Sequence, residues 1–480
     1  MLTVDDLNPA ILNVQYAVRG ELAIKAEEFR EALKDPNASS LLPFSKVVSS
    51  NIGNPQQKGL DQPPITFVRQ VAALTEYPEL ISTAKDAFPA DVIERAQELL
   101  AEIGSIGAYS HSQGVSFIRK SVARFIEERD GYPSNPNHIF LTAGASFGVT
   151  LLIQMLIKPV TPNNPSPSGI LIPIPQYPLY TATLAQFSGT PLPYYLDEPK
   201  GWSTSPAEVK AALAEAKKKG VTPKALVIIN PGNPTGALLD EKTQEELVKL
   251  CEEHNLVLLA DEVYQSNLHR AQEAPFTSFK KIVRRMNSPV GLVSYHSTSK
   301  GVTGECGRRG GYFECTNFPD EIIALIYKMV SVVLCPPLSG QIGVDTMVRP
   351  PKPGSPSYDL WKKETDATHA ALASRTQTMA KRLNALPGVS CVESPGALYL
   401  FPSLYLPEKV IEEAKKQGKK ADELYAMDLL KATGICVVPG SGFGQREGEA
   451  HYRLTCLCPG VEEYISALEN FHLSFMKKYE

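Results

Sequence analysis

Short apolar runs at 139–142, 169–173, 192–196, 225–230, 256–261 and 291–296 alternate with longer stretches whose apolar residues recur at helical spacing. Runs with little polar alternation read as strands covered on both faces, and amphipathic helices between them make the connections of a mostly parallel sheet. Val92, Ala96, Leu99 and Leu100 define one face of a helix over 91–100 that Gly104 stops, and a second helix is expected over 115–129. Ser205-Pro-Ala-Glu208 has the N-cap serine, first-turn proline and capping-box glutamate of another helix start. The expected fold is α/β, with a large helix-covered sheet whose ligands gather beyond the carboxyl ends of its strands.

The pattern also divides the chain. Residues 1–87 read as an N-terminal arm and part of a small domain, with a helical pattern at 20–34 and a Gly-Pro bend in Asn51-Ile-Gly-Asn-Pro-Gln56. Residues 88–349 form the large domain, which the proline-rich linker composition of 350–356 closes. A long helix over 358–386, β-like runs at 389–394, 397–402, 435–439 and 452–458, helical patterns at 408–432 and a last helix from Glu462 predict a smaller α+β domain over 350–480.

Composition narrows the function classes. A chain of 480 residues, 43% hydrophobic and 21% charged, can bury a sizeable core. The net charge of −4 has no strong asymmetry along the chain, which argues against a nucleic-acid or polybasic membrane surface and for small-molecule partners. No stretch approaches the ~18 consecutive apolar residues of a membrane span. The eight cysteines are scattered, with no Cys-x-x-Cys and no metal-spaced histidine pair, so reduced thiols and no metal are expected. Cys456 and Cys458 would share one strand face as core residues. The acidic start lacks a signal or transit pattern, so the expected compartment is the cytoplasm, or the mitochondrial matrix if a presequence was removed.

The candidate chemistry lies at the ends of the expected strands. The stretch from Ser294 to Arg309 runs from an apolar strand into hydroxyls, Lys300, glycines and the pair Arg308 and Arg309. A lysine amine forms a Schiff base only when deprotonated, and burial beside cations favours that form. Ser297, Ser299 and the arginines suit a phosphate dianion. A lysine imine beside a phosphate pocket suggests pyridoxal phosphate, although a solvated Lys-Arg loop is the plainer reading of this stretch alone. Ala143-Gly-Ala145-Ser146 opens a helix whose free N–H groups and dipole could hold a phosphate. Tyr177 could stack on an aromatic ring or be an ordinary core tyrosine. Asn230-Pro-Gly-Asn233-Pro-Thr-Gly236 restricts the backbone so as to aim one side chain. Asp261-Glu-Val-Tyr264 puts a carboxylate at a buried strand end, where it needs a cation or donor; a pyridinium N–H would be one, with Tyr264 near the ring's phenolic oxygen.

In this order the motifs, with the pair Ser299 and Lys300 followed by an arginine and a late Arg453, resemble the fold type I aminotransferases over most of the chain. Tyr16-Ala-Val-Arg-Gly20, Asn51-Ile-Gly-Asn-Pro-Gln56, His296-Ser-Thr-Ser-Lys-Gly301, Gly304-Glu-Cys-Gly307 and Phe443-Gly-Gln-Arg-Glu447 are most similar to the alanine aminotransferases. The resemblance implies a pyridoxal 5′-phosphate enzyme that converts L-alanine and 2-oxoglutarate to pyruvate and L-glutamate by a ping-pong route, with Lys300 holding the cofactor as an internal aldimine and moving the proton. It implies that Asp261 pairs with the pyridine nitrogen, Asn233 and Tyr264 with the ring oxygen, and that Tyr177 stacks on the ring. Ala145, Ser146, Ser297 and an arginine would hold the phosphate; the family spacing selects Arg309, with Arg308 left open. Tyr109 resembles the tyrosine that reaches the phosphate of the partner subunit, which implies a homodimer with shared sites. Arg453 would grip the substrate α-carboxylate, Gly53 would approach it through the backbone, and Arg19 is a candidate for the distal carboxylate. Val302-Thr303, the Arg308 doublet and Cys456-x-Cys458 depart from the family pattern.

Rival readings are a related specificity such as glutamate with glyoxylate, a lyase on the same scaffold, and a non-catalytic pyridoxal-phosphate regulator, for which no added DNA-binding segment is seen. A nicotinamide enzyme is poorly supported, because Gly440-Ser-Gly-Phe-Gly444 lacks the Gly-x-Gly-x-x-Gly spacing.

Overall fold

All six expected strands form, and a seventh joins them in one sheet. The computed structural model describes residues 2–16, 20–60 and 62–480. In chain order the strands are β1 (Ile139–Thr142), β2 (Ser168–Ile174), β3 (Thr190–Tyr195), β4 (Thr222–Ile229), β5 (Val257–Asp261), β6 (Leu292–Ser297) and β7 (Gly311–Thr316). Their order across the sheet is β1-β7-β6-β5-β4-β2-β3, with β7 antiparallel to both its neighbours and the others parallel to one another. The apolar pattern did not announce β7, because a glutamate, Glu314, stands inside it; Glu314 is buried there in an ion pair with Lys280 at 2.7 Å.

Alternate residues of the strands feed two cores. Leu171, Leu226, Ile228, Leu258 and Ala260 meet helices Pro206–Lys218, Glu241–Glu253 and Phe279–Arg285. Ile170, Ile172, Ala225, Val227, Leu259 and Val293 meet helices Ala145–Leu156, Leu179–Gln186 and Asp320–Ser331 on the other face. Each fully buried aliphatic side chain contributes about 1.5–3 kcal/mol, which is why both faces stay covered. Ile139, Leu141 and Tyr312 pack with helices Thr66–Glu76, Ala90–Ile103, Ser116–Asp130 and Leu338–Val348. The α/β architecture expected from the periodicity is therefore present.

The chain after 350 builds a smaller α+β unit. Helices Tyr358–Asn384, Ala421–Thr433 and Val461–Tyr479 surround short ribbons in which Tyr452–Thr455 pairs antiparallel with Tyr399–Leu400 and with Val438–Pro439. Val48–Ser49 pairs parallel with Ile435–Cys436, which ties the N-terminal segment to this part. One local expectation fails: Ser205 is the N-cap and Pro206 occupies the first turn, but no capping box forms, and Glu208 lies 3.6 Å from Arg446. All eight cysteines are free; Cys456 and Cys458 are buried, just beyond the strand expected to hold them. Among the described residues no helix is long and apolar enough to cross a membrane.

A buried ionic cluster supports the sheet behind β5. Ser294 lies opposite Glu314 and His296 opposite Tyr312 on β6 and β7. Arg129, joined to Asp130 at 2.6 Å, and Lys280 neutralise the carboxylates around Glu262. Burial pushes the Glu262 carboxyl up to about 8, against the pull of Arg129. The folded chain thus keeps a proton that the unfolded chain releases, so this contribution to stability is full below the ordinary carboxylate range and is lost as pH rises toward 8. Glu262→Gln keeps an acceptor for the Phe279 N–H, which now bonds the carboxylate at 2.8 Å. We expect its stability relative to the parent to improve between about pH 5 and about pH 8.5, measured as urea midpoints at both values. An unchanged difference would contradict a neutral Glu262.

Candidate active site

A cavity of about 450 Å³ opens at the carboxyl ends of β1, β2, β4, β5 and β6. It brings together Gly53, Ala145, Ser146, Tyr177, Asn233, Asp261, Tyr264, Ser297, Lys300, Arg309 and Arg453, all singled out from the sequence. Tyr109 is not among them: it is 81% exposed, away from the cavity. Arg19 lies outside the described residues. Among the described residues no group of His, Cys, Asp or Glu has the arrangement of a metal site.

One end of the cavity is built for an anion. β1 turns at Gly144, whose φ of 83° is open to glycine, into helix Ala145–Leu156, so free N–H groups point inward. A Cβ on Gly144 would run into the Arg309 guanidinium. That guanidinium donates to the Ala143 carbonyl at 3.0 Å, the Cys306 carbonyl at 3.1 Å and the Ser146 hydroxyl at 3.4 Å. The antiparallel sense of β7 carries Arg309, just before it, back beside the end of β1. Arg309 has a left-handed backbone with φ of 55°, and its side chain lines the cavity. Arg308 does not line it; its Nε donates to Glu305 at 3.0 Å.

The opposite end carries a buried carboxylate without a cation. Asp261 Oδ2 accepts from the Tyr180 hydroxyl at 2.8 Å, and Oδ1 accepts from the Val263 N–H at 3.4 Å. Among the described residues no ion pair reaches it. Burial pushes its pKa up, although Tyr180 opposes the shift. A carboxylate in this state fits a cationic N–H partner, which would offset its desolvation. Tyr180 had no role in the sequence reading; its spacing of three from Tyr177, at the start of helix Leu179–Gln186, was the available signal.

Between these ends lies a chain of polar contacts. Lys300 Nζ donates to the Gly53 carbonyl at 2.5 Å and lies 5.9 Å from the centre of the Tyr264 ring. Asn233 Nδ2 donates to the Tyr264 hydroxyl at 3.4 Å, while its Oδ1 accepts from Arg453 at 2.9 Å. Arg453 is 2% exposed, also donates to the Asn51 carbonyl, and keeps a buried Nε that has no hydrogen-bond partner among the described residues. The Tyr264 hydroxyl is 2.9 Å from the Tyr399 hydroxyl, and Tyr16 meets Tyr177 hydroxyl to hydroxyl at 2.6 Å. Burial, with Tyr16 adding to it, holds the Tyr177 phenol well above its ordinary range. Tyr16 was visible only as part of a motif, and Tyr399 had no signal beyond an apolar run.

An amine, an anion cradle, a buried carboxylate and a buried guanidinium in one cavity define an amino-group transfer site, and the comparisons agree. Residues 80–468 match the aminotransferase class I and II family. The chain belongs to that family, whose members depend on pyridoxal phosphate, and is a transaminase of the fold type I kind. It is 48% identical to a probable mitochondrial alanine aminotransferase from Dictyostelium discoideum, covering 100% of this chain and 90% of that protein. It is 44% identical to an inactive alanine aminotransferase of Saccharomyces cerevisiae, over 100% of this chain and 95% of that one. An alanine aminotransferase structure from Pyrococcus furiosus shares the fold with a TM-score of 0.73 at 24% identity, covering 98% of this chain and 100% of that one.

Proposed function

We propose that this transaminase uses pyridoxal 5′-phosphate to move the amino group of L-alanine to 2-oxoglutarate, giving pyruvate and L-glutamate, and works as a homodimer. The observation that carries the reading is the convergence of Lys300, Asp261 and Arg453 in one cavity. The cofactor's phosphate fits the N-terminus of helix Ala145–Leu156 with Ser146, Ser297 and Arg309. Asp261 supplies the charge for the ring nitrogen, Asn233 and Tyr264 hydrogen bonds for the ring oxygen, and Tyr177 a face. When bound, the cofactor supplies a sink for the electron pair left by the departing α-proton and carries the amino group between the two acids.

The chain's own residues do the rest. Arg453, held by Asn233 and the Asn51 carbonyl, grips the α-carboxylate and fixes the direction of the α-C–H bond; a charge-assisted bond of this kind contributes about 1.5–3 kcal/mol. Lys300 Nζ takes the α-proton and later returns it. Gly53 leaves room for Lys300 Nζ and the Tyr399 hydroxyl, since a Cβ there would strike the hydroxyl and crowd the amine. The exposed Tyr109, with exposed apolar residues Tyr327, Val332, Val333 and Leu334, supports a partner subunit whose phosphate Tyr109 reaches. The relative from Dictyostelium is named as mitochondrial, and we place this protein in the cytoplasm or the mitochondrial matrix.

The test is the absorbance of the purified, cofactor-loaded protein. We expect a visible band that moves to the near ultraviolet with L-alanine and returns with 2-oxoglutarate, together with pyruvate formation that requires 2-oxoglutarate. A band that ignores alanine and answers to glutamate and glyoxylate would overturn the substrate. Arg309→Ala is expected to weaken cofactor affinity by about 10- to 100-fold, from the loss of a charge-assisted bond. Arg308→Ala is expected to leave it nearly unchanged; the reverse ranking, measured by equilibrium titration, would exchange the two roles.

A further inference from the structure

Tyr399 stands where the polar contacts of the cavity cross. It is 1% exposed, on the short strand Tyr399–Leu400, opposite Thr455 and so two residues along from Arg453. The Ser394 hydroxyl donates to its carbonyl at 2.8 Å and to that of Thr235 at 2.9 Å, which anchors the backbone. Its ring lies 4.3 Å from the Arg453 guanidinium carbon, and its hydroxyl is 2.9 Å from that of Tyr264. The hydroxyl also occupies the space that a side chain on residue 53 would take, beside the carbonyl that holds Lys300. One phenol therefore adjoins the amine, the second phenol and the guanidinium.

The two phenols differ in acidity. Burial pushes Tyr264 well above the ordinary phenol range, and Tyr399 adds to it. Burial acts on Tyr399 in the same direction, but the positive charges of Lys300 and Arg453, with the contact to Tyr264, outweigh it and bring the group below that range. The Asn233 amide donates to the Tyr264 oxygen, the Tyr264 and Tyr399 hydroxyls bond each other at 2.9 Å, and Lys300 Nζ and the Tyr399 hydroxyl flank the same space beside Gly53.

We propose that Tyr399 is a positioning residue for Lys300, whose phenol oxygen accepts from the amine, holds it between itself and the Gly53 carbonyl, and shares its proton. In that exchange the proton moves between Lys300 Nζ and Tyr399 Oη, giving either ammonium with phenolate or amine with phenol, and no other bond forms or breaks. Arg453 and the Tyr264 hydroxyl carry the phenolate charge. The proposal rests on the reading of Lys300 as the base, and its first test needs neither cofactor nor substrate.

In the cofactor-free full-length protein, the pH dependence of Lys300 carbamoylation by cyanate is followed by peptide mass spectrometry. Tyr399→Phe keeps the ring over Arg453 and removes only the acceptor. At a fixed pH below the midpoint of the profile, Lys300 is expected to react about tenfold faster in the variant, because its charged form has lost a charge-assisted bond. In the loaded enzyme kcat is expected to fall and its pH profile to move, with the alanine KM little changed. Identical labelling and identical kcat profiles would overturn the proposal, as would a change confined to KM. Should Tyr399→Phe fold poorly, Tyr264→Phe removes the donor to the Tyr399 oxygen and is expected to shift the labelling in the same direction by less; no shift there overturns it equally. A labelling shift in a protein that moves no amino group would sink the proposed function and leave this role standing.

Discussion

Lys300→Ala is expected to stop amino transfer from L-alanine, with pyruvate formation at least about 10²–10⁴-fold slower from the loss of the base alone. Among the described residues no other primary amine lines the cavity: the other cationic side chains that line it, Arg309 and Arg453, are guanidiniums, which do not serve as bases. The substitution removes a half-buried side chain whose one close bond is to the Gly53 carbonyl, so the fold is expected to survive. The visible band of the bound cofactor should also change, since the variant has no amine with which to hold it. Measurable turnover by Lys300→Ala at a rate near the parent's would sink the assignment of the base. Partial recovery on adding a small primary amine would place the defect in proton transfer rather than in substrate binding.

Asp261→Asn is expected to have effects of opposite sign on activity and on stability. Removing one member of a buried charge pair costs about 3–5 kcal/mol, which corresponds to a loss of about 150- to 5,000-fold in kcat/KM. In the cofactor-free protein the same carboxylate is buried with only the Tyr180 hydroxyl and the Val263 N–H for company, and burial pushes its pKa up. Replacing it with a neutral amide relieves that penalty, so Asp261→Asn without cofactor is expected to melt at a higher temperature than the parent. Added cofactor should stabilise the parent more than the variant, because stabilisation follows affinity. A variant that is both active and less stable would remove Asp261 from the role proposed for it.

That a relative 44% identical over the whole chain is named as inactive makes these tests informative, because membership of the family does not by itself establish activity. Here Lys300, Asp261, Asn233, Tyr264, Arg309 and Arg453 are present and meet in one cavity.

By itself the sequence determined the strands that are buried on both faces and the residues that stop them. β1 to β6 were legible because a strand between two helix layers must be apolar throughout, and their polar ends stood out against that background. The Gly-Ala-Ser turn, the Asn-Pro pairs and Asp261 were legible for the same reason: each departs from a local rule at a strand end. Tertiary structure alone decided what depends on partners far away in the chain. β7 holds a glutamate that is tolerable only beside Lys280, thirty-four residues away. That Arg309 and not Arg308 lines the cavity follows from Glu305 and from the turn that leads into an antiparallel strand. Glu208 lies beside Arg446 and not in its expected cap, and Tyr180 and Tyr399 gained their places from Asp261 and Tyr264. Periodicity reports how much water a position sees, whereas hydrogen bonds and ion pairs between distant segments leave no periodic trace, and folding must bring their partners together before either can be read.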